Sequence, residues 1–147
     1  MWRGSLIAML LAGCASTPQA SRERDAEAKQ FVSHPATAAV YVYRSDWSAM
    51  GEDSVLYVDR RLLGATLPGT YFRIDLQPGK HVLSGFGYDA GRLAIDVRPG
   101  EIYFVLLKVL NGTSQFAWRD AEVGRRELLD CCAMLETWAP GQRPLFR

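Results

Sequence analysis

The amino-acid sequence predicts a mainly β domain, an antiparallel sandwich-like fold of about seven or eight strands with a C-terminal helix. Three observations carry this expectation. Short runs rich in Val, Ile, Tyr and Phe recur along the chain, several with one-sided alternation. Gly, Pro, Asn and Asp punctuate them at turn positions. Near the end the apolar spacing lengthens from that of a strand to that of a helix.

The strands follow in order. Residues 39–44, AVYVYR, are β-branched and aromatic. Residues 46–52 read as a loop, and residues 55–59 as a second strand. Arg60-Arg61 suits a tight reversal into residues 62–67. Pro68-Gly69 turns the chain into residues 71–76, where Phe72, Ile74 and Leu76 alternate with Tyr71, Arg73 and Asp75. Pro78-Gly79 and Pro99-Gly100 each end one strand and begin another. Proline presets the first central dihedral and glycine supplies the positive second one, which predicts type II turns. Leu93, Ile95 and Val97 mark another one-sided strand. Residues 102–107, IYFVLL, are apolar on both faces, so that strand is expected to be central. Asn111-Gly112 is a favoured two-residue hairpin turn into residues 115–119. Over residues 127–136, Leu128, Cys131, Cys132 and Leu135 share one helical face that can cover the sheet.

The start of the chain has a different character. Arg3 precedes the apolar run Leu6-Ile7-Ala8-Met9-Leu10-Leu11-Ala12. Such a run is far short of the roughly 20 residues that span a bilayer, and it fits a cleaved export signal. Leu11-Ala12-Gly13-Cys14 closes it as a lipobox. The segment resembles the signals of bacterial lipoproteins, in which the cysteine thiolate accepts a diacylglycerol and the new amine is acylated. Several acyl chains make such an anchor stable. The organisation expected is a signal peptide over residues 1–13, a lipidated tether over 14–36 and the β domain over 37–147. In lipoproteins a residue other than Asp after the cysteine, here Ala15, implies the outer membrane. The expected location is therefore its inner leaflet, facing the periplasm.

Charge adds no partner. Of 17 basic residues only Arg3 falls within residues 1–13, and none of the 16 acidic ones does, so the processed chain is neutral. Nucleic-acid binding, which needs a basic stripe, is not expected. Residues 21–29, SRERDAEAK, mix both signs as a solvated linker or frayed helix would, with Asp25 and Lys29 at i,i+4. Phe31 and Val32 are candidates to dock this tether on the domain.

The chain also resembles a family of small bacterial lipoproteins whose shared domain is known only as a domain of unknown function. The shared elements are the lipobox, AVYVYR at 39–44, Val58-Asp59 before a short turn, Leu63-Gly64 and Gly69-Thr70-Tyr71. Leu76-x-Pro78-Gly79-x-His81 and Pro99-Gly100-x-x-Tyr103-Phe104 complete them. Where such chains often carry Asp-Gly, this one has Asp59-Arg60-Arg61, which leaves the turn type open. The resemblance implies an envelope lipoprotein and supplies no catalytic residue. The Leu76–His81 element is also similar to β-sandwich surface modules.

No catalytic, metal or cofactor site is expected. His34 and His81 are the only histidines, and a triad or zinc site needs convergent partners. His81 is read as a structural residue satisfying turn backbone. Asp59, Asp75, Asp89 and Asp96 show no paired spacing for acid–base work. Asn111-Gly112-Thr113 matches a glycosylation sequon but reads as a turn. Trp47 and Met50, in the loop 46–51, either form a recognition surface or fold back over a sheet edge. Tyr41, Tyr43, Tyr57 and Tyr71 either offer a binding face or pack under a helix. Cys131 and Cys132 have three fates in an oxidising compartment: an adjacent bond, an intermolecular bond, or burial as reduced thiols. Helical spacing favours burial.

The functional expectation is a structural or binding role within an envelope assembly, with a protein partner and a membrane anchor at Cys14. An inhibitor or immunity lipoprotein acting through the loop 46–51 is the alternative. A hydrolase lacks a nucleophile–base constellation.

Overall fold

Two sheets face each other in the computed structural model, which describes residues 17–45, 54–85 and 91–136. In chain order the elements are α1 (Arg22–Ala28), β1 (Ala38–Arg44), β2 (Ser54–Val58), β3 (Arg61–Thr66), β4 (Thr70–Leu76) and β5 (Gly79–Ser84). β6 (Arg92–Val97), β7 (Ile102–Leu110), β8 (Thr113–Arg119), α2 (Ala121–Cys131) and β9 (Ala133–Met134) follow. One sheet has the order β8-β7-β1-β4-β9, the other β3-β2-β5-β6. The expected sandwich is therefore present. Its four-stranded sheet is antiparallel, whereas the five-stranded one is mixed, because β1 runs parallel to β7 and β4 parallel to β9.

Strand alternation sorts side chains between two cores. Val40, Val42, Phe72, Ile74, Val105 and Leu107 face the second sheet and meet Leu56, Val58, Leu83, Ile95 and Val97. Tyr41, Tyr43, Tyr71, Phe104 and Leu106 point the other way and are covered from α1 and α2 by Ala28, Phe31 and Leu128. Every residue of β1 is buried, as a strand with both faces covered requires. β7 is interior to its sheet, as its two apolar faces predict.

The hairpin turns follow residue chemistry. Asn111 and Gly112 both have positive φ, at 51° and 71°, which makes the tight turn that matches strand twist. Asp59 and Arg60 do the same, at 48° and 68°, between the paired residues Val58 and Arg61. This settles the turn type there as the same primed form, built without glycine. At Pro99-Gly100, Glu101 N–H donates to the Arg98 carbonyl at 3.3 Å and Gly100 has φ 76°, a type II turn. A Cβ on Gly100 meets nothing nearer than the Pro35 carbonyl at 4.0 Å. Gly100→Val is therefore expected to cost about 1–3 kcal/mol through backbone strain alone. A thermal melt reads this, and an unchanged melt contradicts the assignment.

The C-terminal helix is displaced from its expected span. It begins at Ala121, capped by the Asp120 carboxylate accepting from Glu122 N–H at 3.0 Å, and it ends at Cys131. Cys132 is extended, with φ −128° and ψ 142°, and β9 follows at once. The stripe Leu128, Cys131, Cys132, Leu135 thus crosses a helix end. Leu128 and Cys132 face the helix-side core, while Leu135 belongs to the core between the sheets.

Candidate functional site

The segment before β1 is built into the domain from its first described residue. Thr17 is buried and its hydroxyl donates to the Ala65 carbonyl on β3 at 2.9 Å. Ala20 N–H donates to Met134 O, and Glu136 N–H donates to Pro18 O, both at 2.9 and 2.8 Å respectively. Residues 18–20 therefore continue the five-stranded sheet beyond β9, with Gln19 opposite Leu135. Ser21 then caps α1 by accepting from Arg24 N–H.

α1 is fastened by one carboxylate. Asp25 accepts from Lys29 Nζ at 2.8 Å, from Tyr71 OH at 2.9 Å and from Met134 N–H at 2.9 Å. Burial pushes this carboxyl up, but the bonds from Lys29, Tyr71 and Met134 together outweigh it and hold Asp25 below its ordinary value. Phe31 follows the helix with φ 54°, a costly conformation for an aromatic residue. Its burial against Tyr41 and Phe104, at centroid distances of 5.3 and 5.5 Å, offsets that cost. Val32 beside it is exposed.

The tyrosines resolve as packing. Tyr41 OH donates to the Ala28 carbonyl at 2.6 Å, Tyr71 OH to Asp25, and Tyr43 OH to the Glu127 carboxylate. Each hydroxyl thus ties β1 or β4 to a helix. Burial, then the acceptor carboxylates, push Tyr43 and Tyr71 far above the ordinary phenol range. Tyr57 lies in the other sheet, away from this cluster.

His81 is nearly buried. Nδ1 lies 2.6 Å from Asp59 Oδ2 and Nε2 lies 2.7 Å from the Gln77 carbonyl. Asp59 Oδ1 also accepts from Val82 N–H at 2.9 Å. Both ring nitrogens are engaged by the β2–β3 and β4–β5 turns, so the imidazole cross-links two turns at one end of the sandwich. This is the geometry of the structural reading. The pairing with Asp59 was not visible from spacing, because it joins residues 22 apart through the sheet. His34 Nδ1 accepts from Ala36 N–H at 3.1 Å, a local turn bond. Asp75 pairs with Arg73 at 3.2 Å and Asp96 is exposed. Asp89 lies outside the described residues.

A buried polar cluster occupies the other end. Arg44 Nη1 donates to the Thr66 carbonyl at 2.9 Å and lies 3.3 Å from Thr66 Oγ1. Thr66 in turn donates to Ser54 O at 3.1 Å, and Ser54 and Ser114 share a hydroxyl–hydroxyl bond. The sequence held a signal for it. Arg44 shares strand parity with Val40 and Val42, which point into the core.

The sulfurs of Cys131 and Cys132 are joined as a disulfide, which corrects the expectation of reduced thiols. The expectation assumed a continuous helix through both residues. The helix instead stops at Cys131 and the extended backbone of Cys132 re-aims its side chain. Cys132 is still buried and Cys131 half-buried against the helix-side core.

Cys14, Trp47 and Met50 lie outside the described residues. Among the described residues no group of three or more His, Cys, Asp or Glu side chains can hold a metal ion. No described helix is long and apolar enough to cross a membrane.

Comparison with known proteins adds one relative. An uncharacterized protein of Haemophilus influenzae (strain ATCC 51907 / DSM 11121 / KW20 / Rd) is 31% identical to this chain over 101 residues. The match covers 67% of this chain and 60% of the relative, so the chain spans less than two thirds of that protein's length. No family model and no solved structure matches the chain.

Proposed function

We propose that this protein is a lipid-anchored component of a bacterial cell envelope, held at Cys14, facing the periplasm and serving a structural or protein-binding role. The observation that carries the reading is Leu11-Ala12-Gly13-Cys14 closing an apolar run behind Arg3. The inner leaflet of the outer membrane is the location this reading assigns, from Ala15 after the cysteine. The domain fits a binding or scaffolding part. The Asp59–His81 pair spends both ring nitrogens on turns, and the hydroxyls of Tyr41, Tyr43 and Tyr71 are spent on helices. The partner class proposed is another envelope protein, with no nucleic acid and no cofactor.

Cys14→Ser tests the anchor, since only a thiolate accepts the lipid. The variant is expected to lose lipidation and to leave an unprocessed or soluble chain when cells are fractionated. A serine variant that stays in the membrane fraction at the wild-type mass contradicts the reading.

A further inference from the structure

The distance between the anchor and the fold is set by covalent geometry. The chain is held in place from Thr17, whose hydroxyl is bonded to Ala65 of β3. Cys14 is three residues earlier. Three residues reach at most about 11 Å, even fully extended. The headgroup layer on each side of a bilayer is itself roughly 5–8 Å deep. A lipid on Cys14 therefore keeps Thr17, and the Ala65 end of β3 bonded to it, within about that reach of the leaflet.

β3 leads from that contact to an unusual hairpin tip. Arg61 is four positions before Ala65, about 13 Å along the strand at the ordinary rise. Arg60, Arg61 and Leu62 are all exposed. Among the described residues no carboxylate pairs with either arginine. The neighbouring Asp59 carboxylate is turned away, onto His81 and Val82. Arg60 has φ 68°, a turn position that glycine or asparagine fills most easily. A cationic side chain is thus held where the backbone favours none. Guanidinium groups match phosphate oxygens with paired hydrogen bonds, and a leucine beside them suits the apolar boundary just beneath.

We propose that the β2–β3 hairpin tip, Arg60 and Arg61 with Leu62, is a membrane-seating surface that meets the phosphate headgroups of the leaflet holding the Cys14 lipid. The proposal rests on the lipoprotein reading above and adds an orientation to it. The β3 edge faces the lipid, and the opposite edge of the sandwich, formed by β8 and β6, faces away from it.

The test uses the processed, lipidated full chain in vesicles of phosphatidylethanolamine and phosphatidylglycerol that carry a headgroup nitroxide quencher. A fluorophore is placed through Leu62→Cys, or through Gln115→Cys at an exposed position of β8, on the opposite edge, as the distant control. Intact mass first establishes that lipid is present. The probe at position 62 is expected to be quenched at least about threefold more than the probe at 115, the scale that two arginines near an anionic surface support. Adding Arg60→Gly and Arg61→Gln should remove at least about half of that difference. Glycine suits φ 68°, so this variant keeps the turn, and an unchanged melt verifies that it does. Equal quenching at 62 and 115 in lipidated protein overturns the seating alone and leaves the tip to a protein partner. A processed chain that carries no lipid overturns the anchor and the seating together.

Discussion

Gly124→Val is expected to lower stability by about 3 kcal/mol, the upper part of the range for overpacking a filled core. Gly124 sits in the first turns of α2, and its N–H donates to the Asp120 carbonyl at 2.8 Å. A Cβ added there would lie 2.4 Å from Phe104 Cβ and 2.5 Å from Phe104 Cγ. Those atoms are the root of the side chain, so a rotamer change cannot clear them. The ring itself is stacked on Tyr41 at 5.3 Å and stands edge-on to Phe31. The helix must lift instead. Lifting it loosens Leu128 and the Tyr43–Glu127 bond in the same movement. For a domain of this size the expected fall in melting temperature is about 10 °C. A melt unchanged by the substitution would show that α2 does not approach β7 this closely.

Asp25→Ala is the second large effect. It deletes the acceptor shared by Lys29, Tyr71 and the Met134 amide. Hydrogen bonds to a charged group, and a backbone N–H left without its partner, place the loss at about 2–3 kcal/mol. The pH dependence has a definite sign. The folded-state value of Asp25 lies below the ordinary 3.8, so the native state favours the ionised form. That stabilisation is complete above the unfolded value and is lost as pH falls through the folded one. Wild type and variant should therefore differ fully near neutrality, begin to converge as pH falls below the ordinary 3.8, and converge further as it passes through the lower folded value. Urea unfolding at a series of pH values measures this. A difference that stays constant into acid would show that the carboxylate charge plays no part.

Local chemistry made most of the strands legible. Phe72, Ile74 and Leu76 alternate because one face of β4 meets the second sheet. The two apolar faces of β7 correctly signalled an interior strand. Asn111-Gly112 marked its turn because both residues tolerate positive φ. What stayed hidden was long-range. Nothing local distinguishes a parallel partner from an antiparallel one, so β1 beside β7 could not be read. The helix register slipped because Leu128, Cys131, Cys132 and Leu135 keep a helical period across a chain that leaves the helix at Cys132. Residues 21–29 looked solvated because of their many charges. One of those charges, Asp25, is the clamp on Tyr71 and Met134, and composition does not show which charge finds a partner. At the candidate sites the same limit applied. His81 stood out as a rare residue, but its partner Asp59 is set by the pairing of β2 with β5.

The proposed anchor at Cys14 is tested most directly by the intact mass of the protein extracted from membranes. The expected species begins at Cys14, lacks residues 1–13 and carries a diacylglycerol and an amide-linked acyl chain. A chain recovered at the unmodified mass, whether it starts at Met1 or has been cut elsewhere, would contradict the account.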